Sequence, residues 1–409
     1  MYKLVDMTAH YVHGREAPDT LAPTDSIQWH DKRRYVWLYG LLVPVLPFGA
    51  YGLAAWTGSD WGWFSGPVWV LGVIPFFDWV RKQDTENPPE SAYEQLDKDR
   101  YYRIVIMLYI PLQYAGLIWS CYMWAYGGLS TFASLGLAVT VAFVAGIGIN
   151  TAHELGHKHP ALERWLAKVA LAQSCYGHFV IEHNRGHHSR VSTPEDPASS
   201  RLGESFWEFL PRTILGSLRS AIHLERARCT RIGQGFWSPK NEILNAWAMS
   251  VVLYGTLIGV FGWSIVPWLA IQIVLGFSLL EVVNYVEHYG LLRQKRDAIH
   301  YERTRPEHSW NSAHKASNAF LYQLQRHSDH HANPTRRYQN LRHFEEAPQL
   351  PQGYAGMIVL AMCPPLWRAV MDKRVLAHYG GDLSLVNIHP RTRERVLLKY
   401  GSGNTLSAS

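Results

Sequence analysis

Residues 104–157 read IVIMLYIPLQYAGLIWSCYMWAYGGLSTFASLGLAVTVAFVAGIGINTAHELGH. From Ile104 to Asn150 this stretch holds no acid and no base, and Gly127-Gly128 followed by Ser130 breaks it near its middle. A charged side chain at the centre of a bilayer is costly, so long charge-free intervals locate membrane spans. About twenty helical residues cross a hydrocarbon core roughly 30 Å thick, which makes this interval long enough to enter and return as a hairpin. Its second arm runs directly into HELGH, where His153 and His157, four residues apart, share a face if the helix continues.

Two further intervals behave in the same way. Between Tyr35 and Phe77 the only acid or base is Asp60, in the turn-like TGSDWG. Between Ile243 and Leu280 charge is again absent, with a break from Gly262 to Pro267. The reading is an all-α integral membrane protein with six transmembrane helices, at about 35–56, 63–80, 104–126 and 129–150 and within 243–286. Residues 1–34, 151–242 and 287–400 then form the aqueous part, and the small polar residues 401–409 read as a disordered tail. All Lys and Arg residues fall on one side of the membrane in this arrangement. The positive-inside rule assigns that side, with both termini, to the cytoplasm, which for a bacterial protein means the inner membrane. Within Lys158 to Ile181, Trp165, Leu166, Val169, Ala170 and Ala172 alternate with Arg164 and Lys168 as in an interfacial amphipathic helix.

Composition agrees with a half-membranous chain. Of 409 residues 47% are apolar and seventeen are Trp, yet the mean hydropathy is only -0.13. The net charge of +6 is spread without a basic block, so nucleic-acid binding has no footprint. Cys121, Cys175, Cys229 and Cys363 are scattered, with no C-x-x-C pair, and read as isolated thiols rather than disulfides or metal ligands. The polar stretch Met1 to Arg34 lacks the apolar run of a cleavable signal peptide. Histidine is the outlier, at twenty-one residues.

These histidines cluster. HELGH supplies His153 and His157, EHNRGHH supplies an i, i+4 pair, His183 and His187, with His188 beside it, and QRHSDHH supplies His327, His330 and His331. NYVEHYG adds His288 where the last span leaves the membrane. Nine imidazoles at one membrane face exceed what one metal accepts, and without nearby thiolates they suit two borderline ions such as iron. Glu154, Glu182, Glu287 and Asp329 each adjoin a histidine, with Asp196 and Glu281 not far off; such carboxylates can orient the rings and balance charge from outside the ligand set. His159, His178, His308 and His314 are read as non-ligands, the last two as outer supports.

HELGH also matches the H-E-x-x-H signature of zinc metalloproteases, a reading that leaves the other seven histidines idle. A metal transporter would carry its ligands at mid-membrane, whereas these lie at or beyond span ends.

With these boxes in view, the chain resembles the alkane 1-monooxygenase (alkane omega-hydroxylase) family of bacterial membrane di-iron enzymes over nearly its whole length. ENPPE at 86–90, RYYR at 100–103, TPEDPASSR at 193–201, HYGLLRQK at 288–295 and QRHSDHHANPTR at 325–336 carry the resemblance with the boxes. The wider superfamily of fatty-acid desaturases and hydroxylases shares only the spaced histidine boxes, and lipid desaturation is the main enzymatic alternative. The resemblance implies terminal hydroxylation of medium-chain n-alkanes with O2 as co-substrate at two non-haem Fe ions. It implies electrons from rubredoxin, recharged through a reductase from NAD(P)H. It carries the iron-ligand role to His153, His157, His183, His187, His188, His288, His327, His330 and His331. A rubredoxin within these residues is excluded by the missing paired cysteines, so the donor is expected to be separate or fused beyond Ser409. Substrate would arrive from the bilayer through an apolar tunnel, with Phe48, Trp56 and Trp69 as candidate walls, and Arg and Lys residues between Lys158 and Arg231 would dock the acidic electron carrier.

Overall fold

In a computed structural model of the chain, residues 29–81 and 83–401 are described. The expectations for residues 1–28 and for a disordered 402–409 fall outside them. Trp29–Asp31 have no regular structure, and from Lys32 onward the described residues form one compact unit. That unit is helical throughout, with extended pairing among the described residues limited to isolated bridges such as Gln83 with His314.

Five helices are long and apolar enough to cross a membrane, or six if one bent pair counts as a span. The bent pair replaces the straight helix expected at 35–56. A 3-10 helix, Val36–Leu42, meets α1, Leu46–Thr57, at 64°. Pro44 and Pro47 flank that junction, and a proline lacks the N–H that a continuous helix would need there. The second span, α2, covers Asp60–Val80 and contains a π-helical turn, Trp69–Val73, just before Pro75, whose missing N–H again breaks the regular ladder.

α3, Arg100–Tyr126, starts where the Asp99 carboxylate accepts from the Tyr101 N–H at 2.8 Å. α4, Thr131–Gly156, starts where Ser130 Oγ accepts from the Ala133 N–H at 3.0 Å. Both outrun the expected 104–126 and 129–150, and the extra turn of α4 carries His153. α5, Ala161–Ala172, is the amphipathic helix read from sequence, with Ala167, Ala170 and Leu171 buried and Leu162 and Trp165 exposed. Sequence reading did not resolve α6, Phe206–Arg231, which opens with a capping box between Ser205 and Glu208. α7, Glu242–Phe261, and α8, Val266–His288, form the last hairpin. Beyond it lie α9, Lys315–Phe320, α10, His327–Ala332, α11, Tyr354–Ala361, and α12, Pro364–His378.

α4 is the hub, buried along nearly its whole length against α3, α5 and α8. Its approach to α8 depends on small residues. A Cβ at Gly146 would lie 2.7 Å from Leu279 Cδ2 and 2.9 Å from the Gly276 carbonyl oxygen. Gly146→Val should therefore wedge the two helices apart at a cost of about 1–3 kcal/mol. A clearly lower thermal midpoint of the detergent-solubilised protein is expected; an unchanged midpoint would refute this packing.

Candidate metal centre

The nine clustered histidines come from four segments that end at the same side of the bundle. His153 lies on the last turn of α4 and His157 caps it. His183 and His187 lie on a π-helical turn, Glu182–His187, followed by His188. His288 is the last residue of α8, and His327, His330 and His331 lie on α10.

They sort into two groups whose ring nitrogens converge, one of His153, His157, His183, His188 and His330, the other of His187, His288, His327 and His331. In the first, the His153 and His330 Nε2 atoms lie 2.9 Å apart, and those of His188 are 3.1 Å from both His183 and His330. In the second, His331 Nε2 lies 2.8 Å from that of His327 and 3.2 Å from that of His187. The groups abut, with the ring centroids of His327 and His330 5.5 Å apart.

The π turn corrects one expectation. An α-helix would pair His183 with His187, but i→i+5 winding brings His183 onto His188 instead and turns His187 toward the second group. α10 divides its rings as an α-helix does, with His327 and His331 facing one group and His330 the other.

Burial, reinforced by neighbouring rings, pushes His157, His183, His188, His327, His330 and His331 well below the usual imidazole range. Each ring is thus neutral and keeps a nitrogen lone pair. The Nε2 atoms of His157 and His288 are buried with no hydrogen-bond partner among the described residues. Converging lone pairs and orphaned ring nitrogens fit a metal ion, and two abutting groups fit a pair of them.

The six acids divide. Asp196 Oδ2 lies 2.8 Å from His187 Nδ1 and accepts from Ser199 Oγ at 2.6 Å, so it can fix the tautomer that aims His187 Nε2 into its group. Glu287 Oε2 lies 3.2 Å from His327 Nε2, on the side facing the second group. The other four do not take the ring-orienting contact expected of them, because cations or other donors hold them. Glu154 pairs with Lys158 at 3.0 Å, and Asp329 with Arg336 at 3.4 Å and Arg342 at 3.5 Å. Glu281 accepts from Tyr176 and Thr213 at 2.7 and 2.8 Å. Glu182 accepts from Arg190 at 2.9 Å, and its burial pushes its carboxyl up to about 7.

His159, His178, His308 and His314 lie outside both groups. His308 supports the site through its backbone, its carbonyl oxygen lying 3.4 Å from His288 Nδ1. His314 instead lies 2.8 Å from the Ser312 hydroxyl. Sequence reading missed Phe179, which stacks on His183 with centroids 4.8 Å apart; its place four residues before a box histidine was the available signal.

An apolar cavity reaches His153, His183 and His327 from within the bundle, between Val70 and Ile74 of α2, Ile147 of α4, Leu279 and Val283 of α8, and Ile358 of α11. The three aromatic walls proposed from sequence are not among its lining. Phe48 packs on Trp119 and Trp56 is exposed on the outside. Trp69 points away from the cavity that its neighbour Val70 lines, and packs on Phe320.

Residues 130–361 match the family model described as fatty acid desaturase. The chain is 46% identical over 374 residues to an alkane 1-monooxygenase of Acinetobacter baylyi, covering 91% of this chain and 92% of that protein. It is 45% identical over 379 residues to an alkane 1-monooxygenase of Ectopseudomonas oleovorans, covering 92% and 94%. A more distant relative is the xylene/toluene monooxygenase hydroxylase component XylM of Pseudomonas putida, 28% identical over 242 residues, covering 58% of this chain and 63% of that protein. Likeness at this level over nearly the full length, joined to apolar spans that end on two converging histidine groups, makes this integral membrane protein a member of the alkane 1-monooxygenase family.

Proposed function

We propose that the protein hydroxylates the terminal carbon of medium-chain n-alkanes, with O2 as co-substrate and two electrons from rubredoxin. The alkane, O2, two electrons and two protons give the 1-alkanol and water. The observation that carries this reading is the apolar cavity ending on rings of both groups, His153 and His183 of the first and His327 of the second.

The nine histidines would hold two iron ions, five on one and four on the other, since neutral nitrogen donors without sulfur suit that metal. Bound iron would supply the O2 activation that breaking an unactivated C–H bond requires. The rest falls to the chain. Asp196 keeps His187 in one tautomer, and Phe179 covers one face of His183. Val70, Ile74, Ile147 and Leu279 would accept a hydrocarbon from the bilayer and exclude water, and these apolar walls would fix which carbon reaches the rings.

Electrons would arrive on the cytoplasmic side, where the positive-inside rule puts the histidine face. The basic docking surface is narrower than the interval from Lys158 to Arg231 read from sequence. Arg185, Arg190, Arg212 and Arg228 are engaged by Glu225, Glu182, Glu204 and again Glu225. Arg164 on α5 and Arg219, Arg226 and Arg231 on α6 are exposed with no ion pair among the described residues and are the candidates that remain. Reduction by rubredoxin, itself recharged by its reductase and NAD(P)H, should slow as ionic strength rises past about 0.1 M, where the screening length falls to about 10 Å. A salt-independent rate would discard this face.

The reading is tested by metal analysis of purified protein together with product analysis after incubation with octane, rubredoxin, reductase and NADH. On the order of two irons per chain and 1-octanol are expected. One zinc and no alcohol would replace it with a metalloprotease. The match to the fatty acid desaturase family model favours one second reading, desaturation, and an alkene product would establish that instead.

A further inference from the structure

A second cavity lies on the opposite side of the wall that α2 and α9 build around the histidine-facing one. The two share no lining residue. Val70, Ile74, Ser317 and Leu321 face the histidines, whereas Trp69, Phe77, Lys315, Asn318 and Phe320 face the second cavity. Its remaining wall is the 3-10 helix of the bent first span, with Val36, Tyr39 and Leu42.

Its lining mixes two chemistries. Leu42, Trp69, Phe77 and Phe320 are apolar. Arg81 and Lys315 are exposed cations, neither of which has an ion pair among the described residues, and Arg33 and the buried Arg326 also line the cavity. Asp84 is the single acid of the lining, and Arg33 pairs with it at 3.5 Å. Gln323 is 1% exposed and lines the cavity, and its amide nitrogen has no hydrogen-bond partner among the described residues; nor has the amide oxygen of Asn318, 6% exposed, which also lines it. Burying such groups unpaired costs free energy that an occupant with polar atoms would recover.

We propose that this groove binds one anionic phospholipid of the surrounding membrane. Arg81 caps the last turn of α2 at the end of the bundle that carries the histidines, twelve residues or about 18 Å along the helix from Trp69. The groove therefore runs from headgroup depth into the acyl layer of one leaflet. An alkane would leave both cations and the Gln323 amide unanswered, and a soluble anion would leave the Leu42, Trp69 and Phe77 wall bare. A phosphodiester headgroup with an acyl chain meets all of them. Seated there, the lipid braces the outer side of the π turn whose inner side lines the histidine-facing cavity.

The test is native mass spectrometry of the detergent-purified chain after incubation with phosphatidylglycerol or phosphatidylcholine. The parent protein should retain one phosphatidylglycerol that phosphatidylcholine does not displace. Removing both cations, Arg81→Ala with Lys315→Ala, should lower retention about 25-fold, each surface cation contributing about fivefold. The pair Arg393→Ala with Lys399→Ala, which does not line the groove, should leave it unchanged. Size-exclusion elution checks folding, and Lys315→Glu alone serves if the double variant aggregates. Equal retention of phosphatidylglycerol by parent and variant, indifference between the two lipids, or displacement of the lipid by dodecane would each overturn the proposal. Binding is read without turnover, so it stands or falls apart from the hydroxylation proposed above.

Discussion

Replacing His330 with alanine is expected to cut alcohol formation by more than about 100-fold and to strip the metal from the five-histidine group. The magnitude follows from position. Loss of a residue that merely orients a ligand costs about 10–100-fold, and His330 stands among the ligands themselves. Its Nε2 lies within 2.9 Å of that of His153 and 3.1 Å of that of His188, so it closes a group otherwise drawn wholly from residues before 190. The ring is buried and neutral, so its removal leaves no unpaired charge, and the helical bundle should survive in membranes and in detergent. His187→Ala is the matching change in the four-histidine group and should act as severely. Iron content, alcohol yield and elution volume measured on the same preparations separate the outcomes. Full activity in both variants would refute the ligand assignment, and aggregated protein would show that the rings are needed for folding instead.

Asp196→Asn should weaken metal binding in the four-histidine group by about 10–100-fold while sparing the other group. The carboxylate lies 2.8 Å from His187 Nδ1 and is itself held by Ser199 Oγ at 2.6 Å and the Ala198 N–H at 3.2 Å. An amide has nearly the same shape, but its nitrogen can neither accept from the ring nor from Ser199. His187 is then free to present the wrong nitrogen to the metal. Timed exposure to a chelator should release one iron early and the second at the parent rate. Simultaneous release of both would mean that Asp196 supports the whole centre rather than one ring.

The spans were legible because exclusion of charge from a bilayer is a strong, one-dimensional rule, and the charge-free intervals from Ile104 to Asn150 and from Ile243 to Leu280 obey it plainly. The histidine boxes were legible because nine rings of one type at short spacing are rare. How those rings divide was hidden, since it depends on the winding of the segment that carries His183, His187 and His188. Nothing in EHNRGHH marks a π turn in advance. The break at Pro44 was visible in the letters, but hydropathy counts residues without regard to direction and reads a bent span as a straight one. The acids show a different limit. Adjacency to a histidine in sequence did not reveal that Arg190, Lys158 and Arg336 would claim Glu182, Glu154 and Asp329, nor did nearness reveal that Tyr176 would claim Glu281. Asp196, eight residues past the last ring of its box, became a partner only through the fold.

The division of the rings also orders the protein's biogenesis. Four of the five rings in one group, His153, His157, His183 and His188, leave the ribosome before the last hairpin is made, whereas the other group has only His187 by then. A nascent chain that has inserted four spans therefore already carries most of one metal pocket and almost nothing of its neighbour. If each group takes an ion, the first could do so with four of its five rings during synthesis, whereas the second would have to wait for the three-histidine α10.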